Sequence, residues 1–415
     1  MKFCSLPVFV FSALAMVLVS SEIGFSADAP MVSDREAFAR QVEVPAAARI
    51  VEIIHSYGDL TVVGWDNPYV RMEGNKRGTG NSAAYARQII RNIQILAYER
   101  IPNRLVLQYD RPPSDWRVPD TFAGIDYTVH VPRNMGLDIH IQAGSVSVSN
   151  MNNHTSIVHR DGKVNVNNIK GKVQIRSERG DITVHAVERI LRIDSQESFI
   201  NVQEIHDNVA IRNRNGDIRV HDVEGKVILN TLKGNIELNR IQGALDIDHR
   251  DGELICNRFS SGVRIYAYKG DVRLTPQIPI PQAYTIAVDR GDVILRIPEN
   301  SNVLAEMEVQ NGRIQSDYYM PVWADKNFSY TKGAINQGEN IVNISVHSGS
   351  ISLLKDLPGE LIRTPATGPL TQPLSSTQPD WETRTGSGSR APSSDIQSTR
   401  PVPQGETEIE PVPLP

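Results

Sequence analysis

Two cysteines in 415 residues leave no material for a disulfide framework. Cys4 sits in the N-terminal apolar stretch, so Cys256 stands alone in the remainder, in a column otherwise filled by Val and Leu. A buried, inert thiol is expected there. Aromatic residues are scarce, at 6%, and no long basic run occurs. With a formal net charge of −5, a surface that tracks nucleic-acid phosphates is not expected. Calcium-binding GGxGxD loops are missing as well.

The chain opens with "MKFCSLPVFVFSALAMVLVSSEIGFSADAP". One Lys precedes an apolar run from Phe3 to Val19, and the small residues Gly24, Ser26 and Ala27 follow. That order is an export signal, assigned to residues 1–27, with the periplasm, cell surface or medium as destination. Left uncleaved, the same run is the one membrane contact the sequence offers.

The middle of the chain is built on a glycine frame. Gly144, Gly162, Gly180, Gly216, Gly234, Gly252 and Gly270 fall at multiples of eighteen residues, and Ser198 fills the one gap. Counted from each frame residue, positions +2, +4, +7, +11 and +13 are apolar. The +13 column reads Ile157, Ile175, Ile193, Ile211, Leu229, Ile247 and Ile265. Thr155 alone breaks the five columns with a polar residue. Spacing of two within each pair predicts strands with one buried face. Gly171, Gly225 and Gly243 open the second half of their repeats, as the frame glycines open the first. Two short strands per repeat, stacked on their equivalents, define an all-β parallel β-solenoid (β-helix) with ~18-residue coils.

The frame loosens at both ends. Gly291 and Gly312 follow at intervals of twenty-one, and a last rung is expected at Val342, Ile344, Gly349, Ile351 and Leu353. Upstream, "YGDLTVVGW" starts the same phrase at Gly58. The solenoid is therefore placed at 49–355, interrupted at 75–118 by an insertion or N-terminal cap in which "SAAYARQIIRN" reads as a short helix. From 356 to 415 the chain is rich in Pro, Ser and Thr, and a disordered tail is expected.

The phrases "GDITV", "GDIRV", "GNIEL" and "GDVRL" resemble a bacterial adhesin-like family with β-strand repeats, whose function is largely unassigned. "YGDLTVVGWDNPYVRMEG" and "GIDYTVHVPRNMGLDIHIQAGSVSV" are similar to the opening of such domains. The resemblance implies the fold over roughly 49–355. It supplies no catalytic residue to carry over, and an adhesive role attaches to the fold alone.

Chemistry on such a scaffold needs side chains that converge. Asp181 and Asp217 follow frame glycines but lie two coils apart, about 9.6 Å at the backbone. His185 and His221 share position +5 at the same separation, too wide for one zinc ion with bonds of about 2 Å. No catalytic, metal or cofactor site is assigned. The expected binding surface is the outward +3 ladder of Asn165, Thr183, Asn201 and Arg219, together with Tyr319 and Trp323 from the aromatic segment "SDYYMPVWADKNFSY". That segment is also expected to cap the open end of the solenoid. The reading is an exported, non-enzymatic solenoid: an adhesin-like envelope or surface protein with an interaction or structural role. Its partner is an envelope polysaccharide or protein. The alternative is a carbohydrate-active β-helix enzyme, a polysaccharide lyase or hydrolase.

Overall fold

The structure, a computed structural model, describes residues 31–101, 103–109 and 122–356. The export segment 1–27 and the tail from 357 onward lie outside the described residues. No helix among those described is long and apolar enough to cross a membrane.

Each eighteen-residue repeat gives one strand to each of two sheets. The strand after the frame residue, as in Ile182–Val187, Ile200–Ile205 and Ile218–Val223, joins a 15-stranded sheet. The strand half a repeat later, as in Leu191–Glu197, Val209–Asn215 and Val227–Lys233, joins a 16-stranded sheet. Pairing between coils is parallel and strictly in phase, with Ile182 beside Ile200 beside Ile218, and Leu191 beside Val209 beside Val227. The parallel β-solenoid is therefore what the chain forms. Branched aliphatics suit these pleated positions, and those of the +2, +4, +7, +11 and +13 columns form one continuous core. Thr155, the polar exception, is buried with them. Cys256 is fully buried in its column, and burial pushes its thiol pKa well up.

Two backbone devices turn the coil. The frame glycines lie at positive φ, 112° at Gly180, where an added Cβ would overlap the Gly162 carbonyl of the preceding coil. Ser198 avoids that conformation, since its φ is not positive. The second device carries no glycine. Asn150, Asn168, Ala186, Glu204, Asp222, Arg240 and Arg258, all at +6, have φ between 55° and 61°. The left-handed residue takes up the step of three between the inward +4 and +7 side chains, as a bulge does.

Both ends depart from chain order. At the N-terminal end the elements are β1 (Val32–Glu43), β2 (Ile50–Tyr57), β3 (Leu60–Trp65), β4 (Tyr69–Gly80), α1 (Ala83–Asn92), β5 (Ile95–Ile101), β6 (Arg104–Tyr109), β7 (Phe122–Pro132) and β8 (Gly136–Ala143). β2 pairs directly with β8, and β3 with Val146–Met151, so the Gly58 rung adjoins the Gly144 coil. β6 and β7 pack outside β2 and β3 although they come later in the chain. β4 then runs antiparallel on β7, and β1 antiparallel on β4, closing that sheet edge. The helix read from "SAAYARQIIRN" is α1. The Ser82 side chain caps it by accepting from Tyr85 N at 3.3 Å, and it buries Ala86 and Ile90. β1 was not read from the sequence, because of its residues only Phe38 and Val42 pack against the core and no alternation marks it.

The C-terminal end corrects the expected order of rungs. Asn340–Ser348 inserts between Tyr284–Arg290 and Val303–Asn311, and Ile351–Lys355 inserts between Val293–Ile297 and Ile314–Ser316. The last rung in the chain is thus not the outermost in space. Phe328–Ile335 and Val322–Asp325 extend the second sheet beyond it as antiparallel strands.

Candidate binding surfaces

The +3 ladder forms as expected on the outer face of the first sheet. Asn165 stands beside Thr183, Thr183 beside Asn201, and Asn201 beside Arg219. Asn165 and Thr183 are exposed; Asn201 and Arg219 are half-buried. Arg219 is already engaged, 3.5 Å from Glu237 and over the Phe199 ring at 5.2 Å. Tyr319 is fully exposed and Trp323 largely so, with Trp323 edge-on to Phe328. Trp323 lies in the edge strand of the second sheet and Tyr319 in the segment leading to it, so the structure does not bring them to the ladder. Within the aromatic segment the capping contacts come from Met320, buried in the core, and Tyr318, which packs against it, while Trp323 and Tyr319 face outward.

The turn aspartates have structural work. Asp217 Oδ1 accepts the Asn235 backbone N–H of the next coil at 2.7 Å, and Asn235 Oδ1 accepts from Glu253 N at 3.0 Å. Asp59, Asp271 and Asp292 do the same for Ser145, Asp292 and Ser350. Asp181 lies 3.9 Å from Lys163. Of the two histidines weighed as ligands, His185 bonds Asn167 at 3.1 Å, and burial lowers the His221 pKa. Among the described residues no three His, Cys, Asp or Glu side chains gather as a metal site.

A third inward position escaped the sequence reading. In the second sheet +15 also points into the core, and it is polar over six successive coils: His159, Ser177, Ser195, Asn213, Thr231 and His249, all buried. His55 occupies the equivalent place in β2. These side chains serve the glycine turn. His159 Nε2 meets the Gly144 carbonyl at 2.9 Å, and His55 Nε2 meets that of Gly58 at 3.0 Å. Asn213 Nδ2 donates to the carbonyls of Ser198, Asn215 and Gly216 at 2.9, 3.0 and 3.1 Å. Neighbouring rungs are linked to each other, His159 to Ser177 at 3.2 Å and Thr231 to His249 at 2.6 Å. Burial pushes the His55 pKa from 6.5 to about 4 and lowers those of His159 and His249.

Outside this buried column the +14 and +16 side chains wall a trough that follows the solenoid. One stretch has a volume of roughly 750 Å³ and a second roughly 670 Å³; Asn230 and Leu232 line both. The sequence signal was available: Val158, Leu232, Tyr266 and Tyr268 are large apolar or aromatic residues at outward positions, and all four are exposed.

Residues 188–354 match the family Toastrack DUF4097. The adhesin-like resemblance read from the glycine phrase is borne out over this Toastrack segment. No functionally curated protein matches the chain. Among solved structures, a candidate cell adhesion protein from Clostridium sporogenes is 8% identical, covering 78% of this chain and 100% of its own, with a TM-score of 0.20. A candidate adhesin from Bacteroides fragilis is 12% identical, covering 77% of this chain and 97% of its own, with a TM-score of 0.21. Likeness that loose fixes neither ligand nor role. The Toastrack segment holds Asn201, Arg219, Tyr319 and Trp323, whereas Asn165 and Thr183 precede it. The coil geometry does not change at that border, since Ile182 and Ile200 pair as Ile200 and Ile218 do.

Proposed function

We propose that this chain is exported and works at the cell envelope or surface as a non-catalytic, adhesin-like element. It holds an envelope polysaccharide or a protein partner against an extended outer face. One observation carries the reading: equivalent outward side chains recur in parallel register from coil to coil, joined by turns too tight to enclose a substrate. Catalysis needs a preorganised site that excludes water, and ladders on a flat face offer repeated weak contacts instead.

Cell fractionation combined with surface proteolysis tests the location: the protein is expected with the envelope or outside the cell. Incubating the purified protein with envelope and extracellular polysaccharides is expected to release no reducing or unsaturated ends. Turnover that disappears in Asp181→Asn or Asp217→Asn would replace the binder by a polysaccharide lyase or hydrolase.

A further inference from the structure

We infer that the trough on the second sheet, rather than the +3 ladder of the first, is the binding site, and that its ligand is an acidic linear polysaccharide. The inference rests on the reading of the chain as a binder. Along one wall Val158, Arg176, Asp194, Arg212, Asn230 and Asp248 follow one another in register, one per coil. On the other wall Arg160 precedes Glu178, and Arg214 and Arg250 follow further on.

Charge decides the ligand class. Arg160 is paired with Glu178 at 3.4 Å, and Asp194 with Arg192 at 3.1 Å. Arg176, Arg212 and Arg214 are exposed and have no hydrogen bond, ion pair or ring contact among the described residues. Three unmatched guanidinium groups in one concave surface are a counter-surface for carboxylates, which they bind with two parallel hydrogen bonds. Arg176 and Arg212 are two coils apart, as are Arg214 and Arg250, an advance of about 9.6 Å. That spacing suits an extended polyuronate whose every second carboxylate faces the trough. At the far end Tyr266 and Tyr268 add exposed rings for the apolar faces of sugars, with Arg250 over Tyr268 at 5.8 Å. The +3 ladder has no comparable free charge, because Arg219 is spent on Glu237 and Phe199.

The test is affinity electrophoresis of the full chain through polygalacturonate, neutral dextran and polyglutamate at low and moderate salt. Retardation is expected in polygalacturonate, weakening with salt, and none in dextran. The triple variant Arg176→Ser, Arg212→Ser, Arg214→Ser is expected to lose affinity on the order of tenfold, and Arg189→Ser, exposed in the turn between Ile182–Val187 and Leu191–Glu197, is expected to lose none. All four side chains lie outside the core, and an unchanged melting temperature shows that any loss is not unfolding. Absence of retardation, or retardation unaffected by the triple variant, overturns the trough. Stronger retardation in polyglutamate overturns the polysaccharide assignment. Cleavage of polygalacturonate during the run would instead sink the binder reading itself.

Discussion

The two strands of a coil obey the same inward–outward rule and differ in what they bury. In the first strand all three inward positions are apolar, as in Ile218, Val220 and Val223. In the second strand two are apolar and the third is polar, as in Val209, Ile211 and Asn213. The apolar positions drive association of the sheets. The polar one lies next to the frame turn, where the chain reverses and its carbonyls would otherwise be buried without donors. Hydrophobic burial thus holds the coils together, while the polar column fixes how each coil closes.

The comparison breaks most readily at Val220. Replacing it by Asp buries an unpaired carboxylate between the sheets and is expected to cost roughly 4 kcal/mol or more, measured by urea unfolding.

Acid is expected to act mainly on the second sheet, because the fully buried histidines among the described residues are His55, His159 and His249 of the polar column, whereas His221 of the first sheet is half-buried. The folded pKa of His55 is depressed, so the unfolded chain binds its proton first. Stability from keeping this ring neutral is fully present above pH 6.5 and is lost as pH falls towards about 4, up to roughly 3 kcal/mol. Asp222, hydrogen-bonded by Arg240, and Asp246, where Arg264 and Lys226 outweigh burial, titrate below 3.8 and lose their contribution only in stronger acid. Thermal melts between pH 7 and pH 4 are expected to fall in this window, and to fall less in a His55→Gln variant.

Next in size is Asn213→Ala, which leaves the Ser198, Asn215 and Gly216 carbonyls without their shared donor. A loss of about 1–3 kcal/mol is expected by urea unfolding. An effect below that would place the polar column among dispensable features. Smallest is Arg219→Asp, beside Val220 but outward, expected to change stability by less than about 1 kcal/mol because its ion pair is at the surface. Equal shifts for Val220→Asp and Arg219→Asp would refute the inward and outward assignment.

What the sequence made legible follows the same division. Columns of Ile, Val and Leu reveal themselves by composition and period, so the coil length, the strand count per coil and five inward positions could be read from residues alone. At the position before the frame residue the structure adds ion pairs between coils: Asp161 pairs in register with Arg179 and Asp251 with Lys269, 3.5 and 3.7 Å apart. The +15 column hid because His, Ser, Asn and Thr look like surface residues when their carbonyl partners are not known. The left-handed +6 position hid because Ala186, Glu204 and Arg258 carry no glycine to announce it. The order of rungs at the ends was illegible for another reason: every rung speaks the same apolar phrase, so any could stack on any.

That end order has a mechanical consequence. Ile351–Lys355 is hydrogen-bonded on both sides, to Val293–Ile297 and to Ile314–Ser316. Tension applied beyond Lys355 must therefore shear two rows of bonds at once. The opposite end offers no such grip, since β1 has a paired strand on one side only, β4. Pulled from both ends, the molecule is expected to unpeel from Val32 while the rung at Lys355 still holds.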